Sequence, residues 1–497
     1  MKPLSARKGL VVYGLALAFM LVCSALSNLI ATYIFGVGFI GAGLVFLARN
    51  WSPSVPAGGS IEATVVNPVV PGPEVEAGAT PAAAPSKPRL YYLDNLKGFL
   101  TVVVINHHIL ASYLGSGWVY GIGNYRKVYN VFASSVCLLD QAYFMALFFF
   151  VSGLFVPSSC ERKGRAAFLS DRLKRLGLPF LAFIFFLFPL VCYAFPPSNA
   201  SRYAYSPSPG PPWFCFWLLL FSAAYAGLED GAAPADAPAP TVAALVKVGL
   251  ACGAVQYGVM AASPGQFVFM PITFGSLPFD VVFFAAGVVA KRSGWLAKDN
   301  FDALRASAGL LVVRVVVVGT SLLLVAVTVF IYVRRYDIPG LLAVNSGDDD
   351  GTFDDDADDD ADDEGVAVPG WVLSVIYPAL CLLLGPFATC TSLFLVELFE
   401  GNCNVTSPLL GELTKSAYAA YLVQPFLISP ATWLWTEVLR TQFGDKVYFA
   451  PGSSQSTTEV PEGLIWAGLA FSLCFVHALI WPLSAGLRRL PGLRAIL

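Results

Sequence analysis

The chain has 497 residues, 56% of them hydrophobic and only 13% charged, with a net charge of −3 and a mean hydropathy of +0.67. A soluble domain carries nearer a quarter charged residues, so this composition excludes an ordinary soluble fold. No basic stripe interleaved with aromatics marks a nucleic-acid surface, and the ten cysteines contain no C-x-x-C pair that would suggest a disulfide framework.

Residues 9–48 are almost continuously apolar, with Lys2, Arg7 and Lys8 before them and Arg49 after. That is far longer than the core of a cleaved signal peptide. It predicts an N-terminal anchor of one or two helices over residues 1–50. Residues 51–88 are rich in Pro, Ala, Val and Gly and predict a disordered or extended linker. From 89 onward, ten apolar stretches predict membrane spans: 96–114, 134–156, 176–195, 213–229, 241–262, 272–291, 309–333, 371–397, 414–435 and 464–485. The expected fold is all-α, a polytopic transmembrane helix bundle of about ten core spans plus the anchor, with the membrane domain over 89–497. No internal repeat of the transporter kind is visible.

Charge orients this bundle. Arg162, Lys163, Arg165, Arg172, Lys174 and Arg175 lie between the second and third spans. Lys291, Arg292, Lys298 and Arg305 lie between the sixth and seventh, and Arg488, Arg489 and Arg494 follow the tenth. With ten spans all three clusters fall on one side, and the positive-inside rule makes that side cytoplasmic. The loop 337–369, whose Asp348–Glu364 core is nearly all Asp with Gly and Ala, then lies outside. Such a run repels itself and stays solvated, and it lacks the ligand spacing of an EF-hand. Asn199 opens a glycosylation sequon on the outer side, whereas the sequon at Asn404 falls inside and goes unused.

The chain has three histidines, and two of them, His107 and His108, are adjacent in the first predicted core span. Ionisable groups are costly in a bilayer, and function is the default hypothesis for them. Helical spacing puts Lys97, Thr101, Val104 and His108 on one stripe, with His108 about 16 Å along the axis from Lys97. His107 points about 100° away. An imidazole here reads either as a general base that takes a hydroxyl proton or as a hydrogen bond between helices. His477, in the last span, reads as structural.

Arg172 and Arg175 are spaced i, i+3 at the start of the third span and share a helical face. Two guanidiniums so placed grip phosphate oxygens, or they merely flank a cytoplasmic helix end. Ser152-Gly153 permits close helix approach, and no base is visibly paired with Ser152 to make it a nucleophile. Tyr418, Tyr421 and Gln424 recur every three residues on one side of the ninth span, for acceptor binding or packing. No His/Cys/Asp cluster sits at metal-ligand spacing.

Four stretches in order carry a resemblance. These are Arg89-Leu-Tyr-Tyr-Leu-Asp-Asn-Leu-Lys-Gly98 followed by His107-His108, Phe148–Pro157, Phe168–Pro179 and Ser416–Pro425. Together the set resembles the acyltransferase 3 family of membrane O-acyltransferases, which includes glucan-succinylating and sugar-acetylating enzymes. The resemblance implies that His108, fourteen residues after Asp94, is the catalytic histidine. It implies that the cytoplasmic basic residues Arg172, Arg175 and Lys97 bind an acyl-CoA donor, used as co-substrate with no bound cofactor. The acceptor it implies is a hydroxyl of a carbohydrate or glycolipid. Three positions depart from the family pattern. Lys97 replaces an Arg, Asp171 takes the first basic place of R-x-x-x-R, and Gln424 stands where many members have His. Two other readings compete: a transporter with a histidine proton relay, and a catalytically inactive relative.

Overall fold

The computed structural model describes residues 90–114, 128–195, 210–228, 237–262, 277–333, 375, 377–443 and 460–497. The expected anchor, linker and acidic loop, and Asn199, lie outside the described residues. Twelve helices and a closing 3₁₀ turn make up the described chain, with no strand among the described residues. In order they are α1 (Tyr91–Tyr113), α2 (Val128–Lys163), α3 (Arg165–Ala194), α4 (Trp213–Leu228), α5 (Val242–Ala262) and α6 (Leu277–Arg292). There follow α7 (Lys298–Ala306), α8 (Gly309–Val333), α9 (Tyr377–Asn402), α10 (Pro408–Val423), α11 (Pro425–Phe443) and α12 (Glu462–Leu487).

Every predicted span but the ninth overlaps a single helix, yet the count of ten is not established. Among the described residues six helices are long and apolar enough to cross a membrane: α2, α3, α5, α8, α9 and α12. The shortfall has local causes. α1 opens with Asp94 and Lys97, and α6 has 16 residues. The predicted ninth span is two helices, because Pro425 has no N–H with which to continue α10.

The faces of the bundle separate lipid from core. On α8, Leu311, Val315, Val318 and Leu322 form an i, i+4, i+7, i+11 stripe, each more than half exposed. On α3, Phe186, Leu190 and Tyr193 do the same. Such stripes would be a liability in water and are the natural covering in a bilayer. α1 is the opposite case. Leu93, Leu96, Leu100, Val104, Ile105 and Ile109 are all buried, and the helix packs against α2, α9, α10, α11 and α12.

In lipid the helices are held by close packing rather than by hydrophobic drive. The two most extensive pairings are α2 with α6 and α5 with α9. In the first, Gly153 meets Gly287, and a side-chain carbon added at Gly153 would fall 3.3 Å from the Gly287 Cα and strike the Phe284 carbonyl. In the second, a carbon added at Gly249 would lie 2.6 Å from the Gly385 carbonyl.

The three basic clusters do gather at one end. Arg175, Arg488, Arg489 and Arg494 line one cavity. Arg305 donates to Glu397 at 2.7 Å and to Glu400 at 2.6 Å, near the end of α9. The residues just past α9 meet the start of α1, where the Asn95 side chain donates to the carbonyls of Cys403 (2.7 Å) and Val405 (2.8 Å). Asn404 is occupied in this contact, accepting from the Tyr92 N–H at 3.3 Å.

Candidate active site

α1 carries three consecutive polar residues at mid-helix, and they point three ways. Asn106 turns to α12, where its Oδ1 lies 2.7 Å from His477 Nε2. Trp481 Nε1 donates to His477 Nδ1 at 3.3 Å. A ring nitrogen that accepts leaves the other to donate, so the network assigns His477 as the neutral Nε2–H tautomer. His477 is thus satisfied on both sides and ties α12 to α1, in keeping with a structural role.

His107 turns to α2. Its ring lies 5.2 Å from that of Phe144, and its backbone carbonyl accepts from the Cys137 thiol at 3.8 Å. His108 stands edge-on to His107, with ring centroids 5.3 Å apart. Both histidines keep intermediate exposure among buried neighbours. Thr101, on the stripe below, is buried and donates back to the Lys97 carbonyl at 2.9 Å, a common way for threonine to satisfy itself in a helix.

The basic turn has its own local logic. α3 is regular to Arg172, then makes a π turn over Leu173–Gly177. Such turns are rare and concentrate at functional sites. The Arg175 carbonyl would receive the N–H of residue 179, but that residue is proline and has none. Tyr418 of α10 fills the gap by donating its hydroxyl to the Arg175 carbonyl. The same device recurs within α10. Pro425 deprives the Tyr421 carbonyl, and the Gln424 side-chain amide donates to it at 3.1 Å. Tyr421 in turn donates to the Pro211 carbonyl. An amide at position 424 therefore has a definite partner.

The remaining departures also find places. Asp171 pairs with Lys163 at 2.8 Å across the break at Gly164, whose φ of 74° suits glycine. Lys97 pairs with Asp94 at 2.8 Å and lies 4.7 Å from the centre of the Phe155 ring. Arg172 sits over the Phe168 ring at 5.1 Å.

Beside Arg175 opens a cavity of about 540 Å³ lined by Arg175, Lys415, Arg488, Arg489, Arg494 and Leu497. Of the expected donor residues only Arg175 lines it; Lys97 and Arg172 do not. Sequence reasoning gave no ligand role to Lys415 or to the arginines after α12. Their signal was a basic cluster on the same side as Arg172 and Arg175, but not which helix ends adjoin. Glu412 is held among these cations, 2.7 Å from Arg488, 3.6 Å from Lys415 and 3.7 Å from Arg489. Desolvation works to raise its pKa, yet Arg488, then Lys415 and Arg489, hold the carboxyl below its ordinary value.

Among the described residues, three buried side-chain nitrogens lack a hydrogen-bond partner: His107 Nδ1, Arg172 Nε and Arg488 Nε. Arg172 Nε and Arg488 Nε come from α3 and from the residue closing α12, at the basic end, whereas His107 Nδ1 lies on α1 beside α2. Buried polar atoms are ordinarily paired, and either guanidinium nitrogen can still donate. Among the described residues no three His, Cys, Asp or Glu side chains gather as metal ligands.

The family model of the acyltransferase domain of the acyltransferase 3 family matches residues 90–481. The chain belongs to the acyltransferase 3 family. Neither curated proteins nor solved structures gave a match. The family match takes in α1 through nearly all of α12, and it makes the chain a multi-pass membrane acyltransferase. The match is to the family as a whole.

Proposed function

We propose that this acyltransferase moves an acyl group from acyl-CoA to a hydroxyl of a carbohydrate or glycolipid, with His108 as general base. The observation that carries the reading is the corner of α1, α3, α10 and α12. A cation-lined cavity opens at its basic end, and a histidine pair lies deeper on the central helix.

The chemistry follows from these groups. Donor phosphates dock against Arg175, with Arg172 and Lys97 alongside, through charge-assisted hydrogen bonds. The acceptor hydroxyl oxygen attacks the thioester carbonyl while His108 takes its proton. The C–S bond breaks, the new C–O ester bond remains, and the proton passes to the departing thiolate. His107, packed edge-on, fixes the plane of the His108 ring. The cationic end is cytoplasmic on this reading, where acyl-CoA is made.

The test is acyl transfer from radiolabelled acetyl-CoA to glycans and lipids in membranes holding the native chain, His108→Ala or His107→Ala at matched folded protein. Removing a general base costs about 10²- to 10⁴-fold. That loss in His108→Ala, against a smaller loss in His107→Ala, is the expected result. Equal labelling in all three would remove His108 from the mechanism.

A further inference from the structure

We infer that the cavity bounded by Arg175, Lys415, Arg488, Arg489 and Arg494 is a nucleotide-phosphate site. It would hold the phosphorylated end of the donor and so distinguish a nucleotide thioester from a plain one. The inference rests on the acyl-CoA reading for its ligand, but adds to Arg175 four cations which that reading does not use.

Charge is the first argument. Five cations line the cavity; Glu412 pairs with three of them, and Asp171 feels Arg175. The surplus of about three positive charges suits a diphosphate together with a phosphomonoester, which alone carries about −1.5 to −2. The single phosphodiester of a lipid headgroup would leave most of it unanswered.

Geometry is the second. The cations come from three places in the chain: Arg175 from the π turn of α3, Lys415 from α10, and the rest from the end of α12 and the turn after it. A ring of interfacial basic residues needs no such convergence. Arg488 donates to Glu412 through one nitrogen while its Nε stays buried and unpartnered. Arg489 and Arg494 are exposed at the rim, free to fold over an anion. Leu497 adds an apolar wall.

Position is the third. Lys415 and Tyr418 are one turn apart on α10, and the Tyr418 hydroxyl is bonded to the Arg175 backbone. Gly98 of α1 lies against Thr414 of the same helix. The cavity therefore adjoins the α1–α10 seam, and α1 leads on to His108. Phosphates bound here leave the thioester arm to extend along that seam.

The experiment uses the full chain in neutral phosphatidylcholine nanodiscs. Arg489→Gln with Arg494→Gln is compared with the native chain, and Lys298→Gln serves as a basic-to-neutral control outside the cavity. KM is measured for acetyl-CoA and for S-acetylpantetheine, which lacks the nucleotide. Charged hydrogen bonds of this kind predict that the acetyl-CoA KM rises about tenfold or more beyond any change with S-acetylpantetheine. Adenosine 3′,5′-bisphosphate should bind the native chain and compete with acetyl-CoA, and bind the double variant about tenfold more weakly. An equal KM change for both donors, or none, overturns the inference while the acyltransfer reading stands. Nucleotide binding absent from the native chain, with phosphatidylglycerol retained instead, makes the cavity a lipid seat and also overturns it. If no thioester supports transfer, equilibrium dialysis of the bisphosphate still decides the cavity by itself, and binding lost in the double variant upholds it.

Discussion

The α2–α6 crossing and the corner of α1, α3, α10 and α12 follow opposite rules. At the crossing, Gly153 and Gly287 remove every side chain between two backbones, and contact is direct. At the corner, proline and a π turn break the helix ladders, and side chains of Tyr418 and Gln424 repair them. Two of the unpartnered buried nitrogens noted above, Arg172 Nε and Arg488 Nε, belong to that corner. Each such group costs about 1–3 kcal/mol, a debt that a bound anion or carbonyl would cancel. A scaffold packed without compromise on one side lets the other keep polar groups desolvated and aimed at a ligand.

The comparison breaks most severely at Gly287. A valine there would press its Cβ into the Phe150 carbonyl, and backbone cannot step aside as a flexible side chain does. The cost should reach about 3 kcal/mol or more. Gly287→Val is expected to lose most of its folded yield and melt earlier in detergent, seen by fluorescence-detected size exclusion. Gly227→Val, at a glycine with open space around it, should differ far less. Equal behaviour of the two would mean that the crossing is not what holds the scaffold.

The corner predicts a different kind of damage. Tyr418→Phe keeps the ring and removes the hydroxyl, so the Arg175 carbonyl loses the donor that Pro179 denies it. Arg175 is exposed, so water can partly replace the lost donor and the cost should be about 1 kcal/mol, less than the glycine lesion. Arg175 shares that peptide, so donor KM should rise about three- to tenfold, a shift of roughly 1 kcal/mol. A melting temperature that falls with KM unmoved would make Tyr418 a packing residue only.

How much of this could be read beforehand depends on the kind of contact. The helices were legible because apolar runs continue long enough to show themselves, and so was the basic end, because charge clusters are local. Gly153 was legible as a close-packing site, but its partner Gly287 lies 134 residues away and carries no mark of its own. His107 and His108 stood out by rarity alone. The division of α10 from α11 was missed although Pro425 was in view, because apolar residues run on without pause across it. The cavity was missed for a tertiary reason. Lys415 and Arg494 acquire meaning only once the ends of α10 and α12 meet beside Arg175. Sequence shows which residues are unusual and seldom shows which of them are neighbours.

Glu412 gives the smallest and most discriminating test. It pairs with three of the cavity cations, so it both positions Arg488 and competes with an incoming phosphate. Those two roles predict opposite signs. Arg488 is partly buried and its neighbours are exposed, so exposed pairing holds little of the fold and stability should barely change. If competition dominates, Glu412→Gln should lower the acetyl-CoA KM about two- to threefold and steepen its dependence on salt, as an added net positive charge does. A carboxyl held below its ordinary range stays ionised through neutral pH, and its pairing is lost only as pH falls through that lowered value. The effect of Glu412→Gln should accordingly be the same at about pH 6 and pH 8. A KM that rises instead would show Arg488 to need its carboxylate partner for orientation. The corner would then resemble the glycine crossing, a place where fixed geometry outweighs readiness for a ligand.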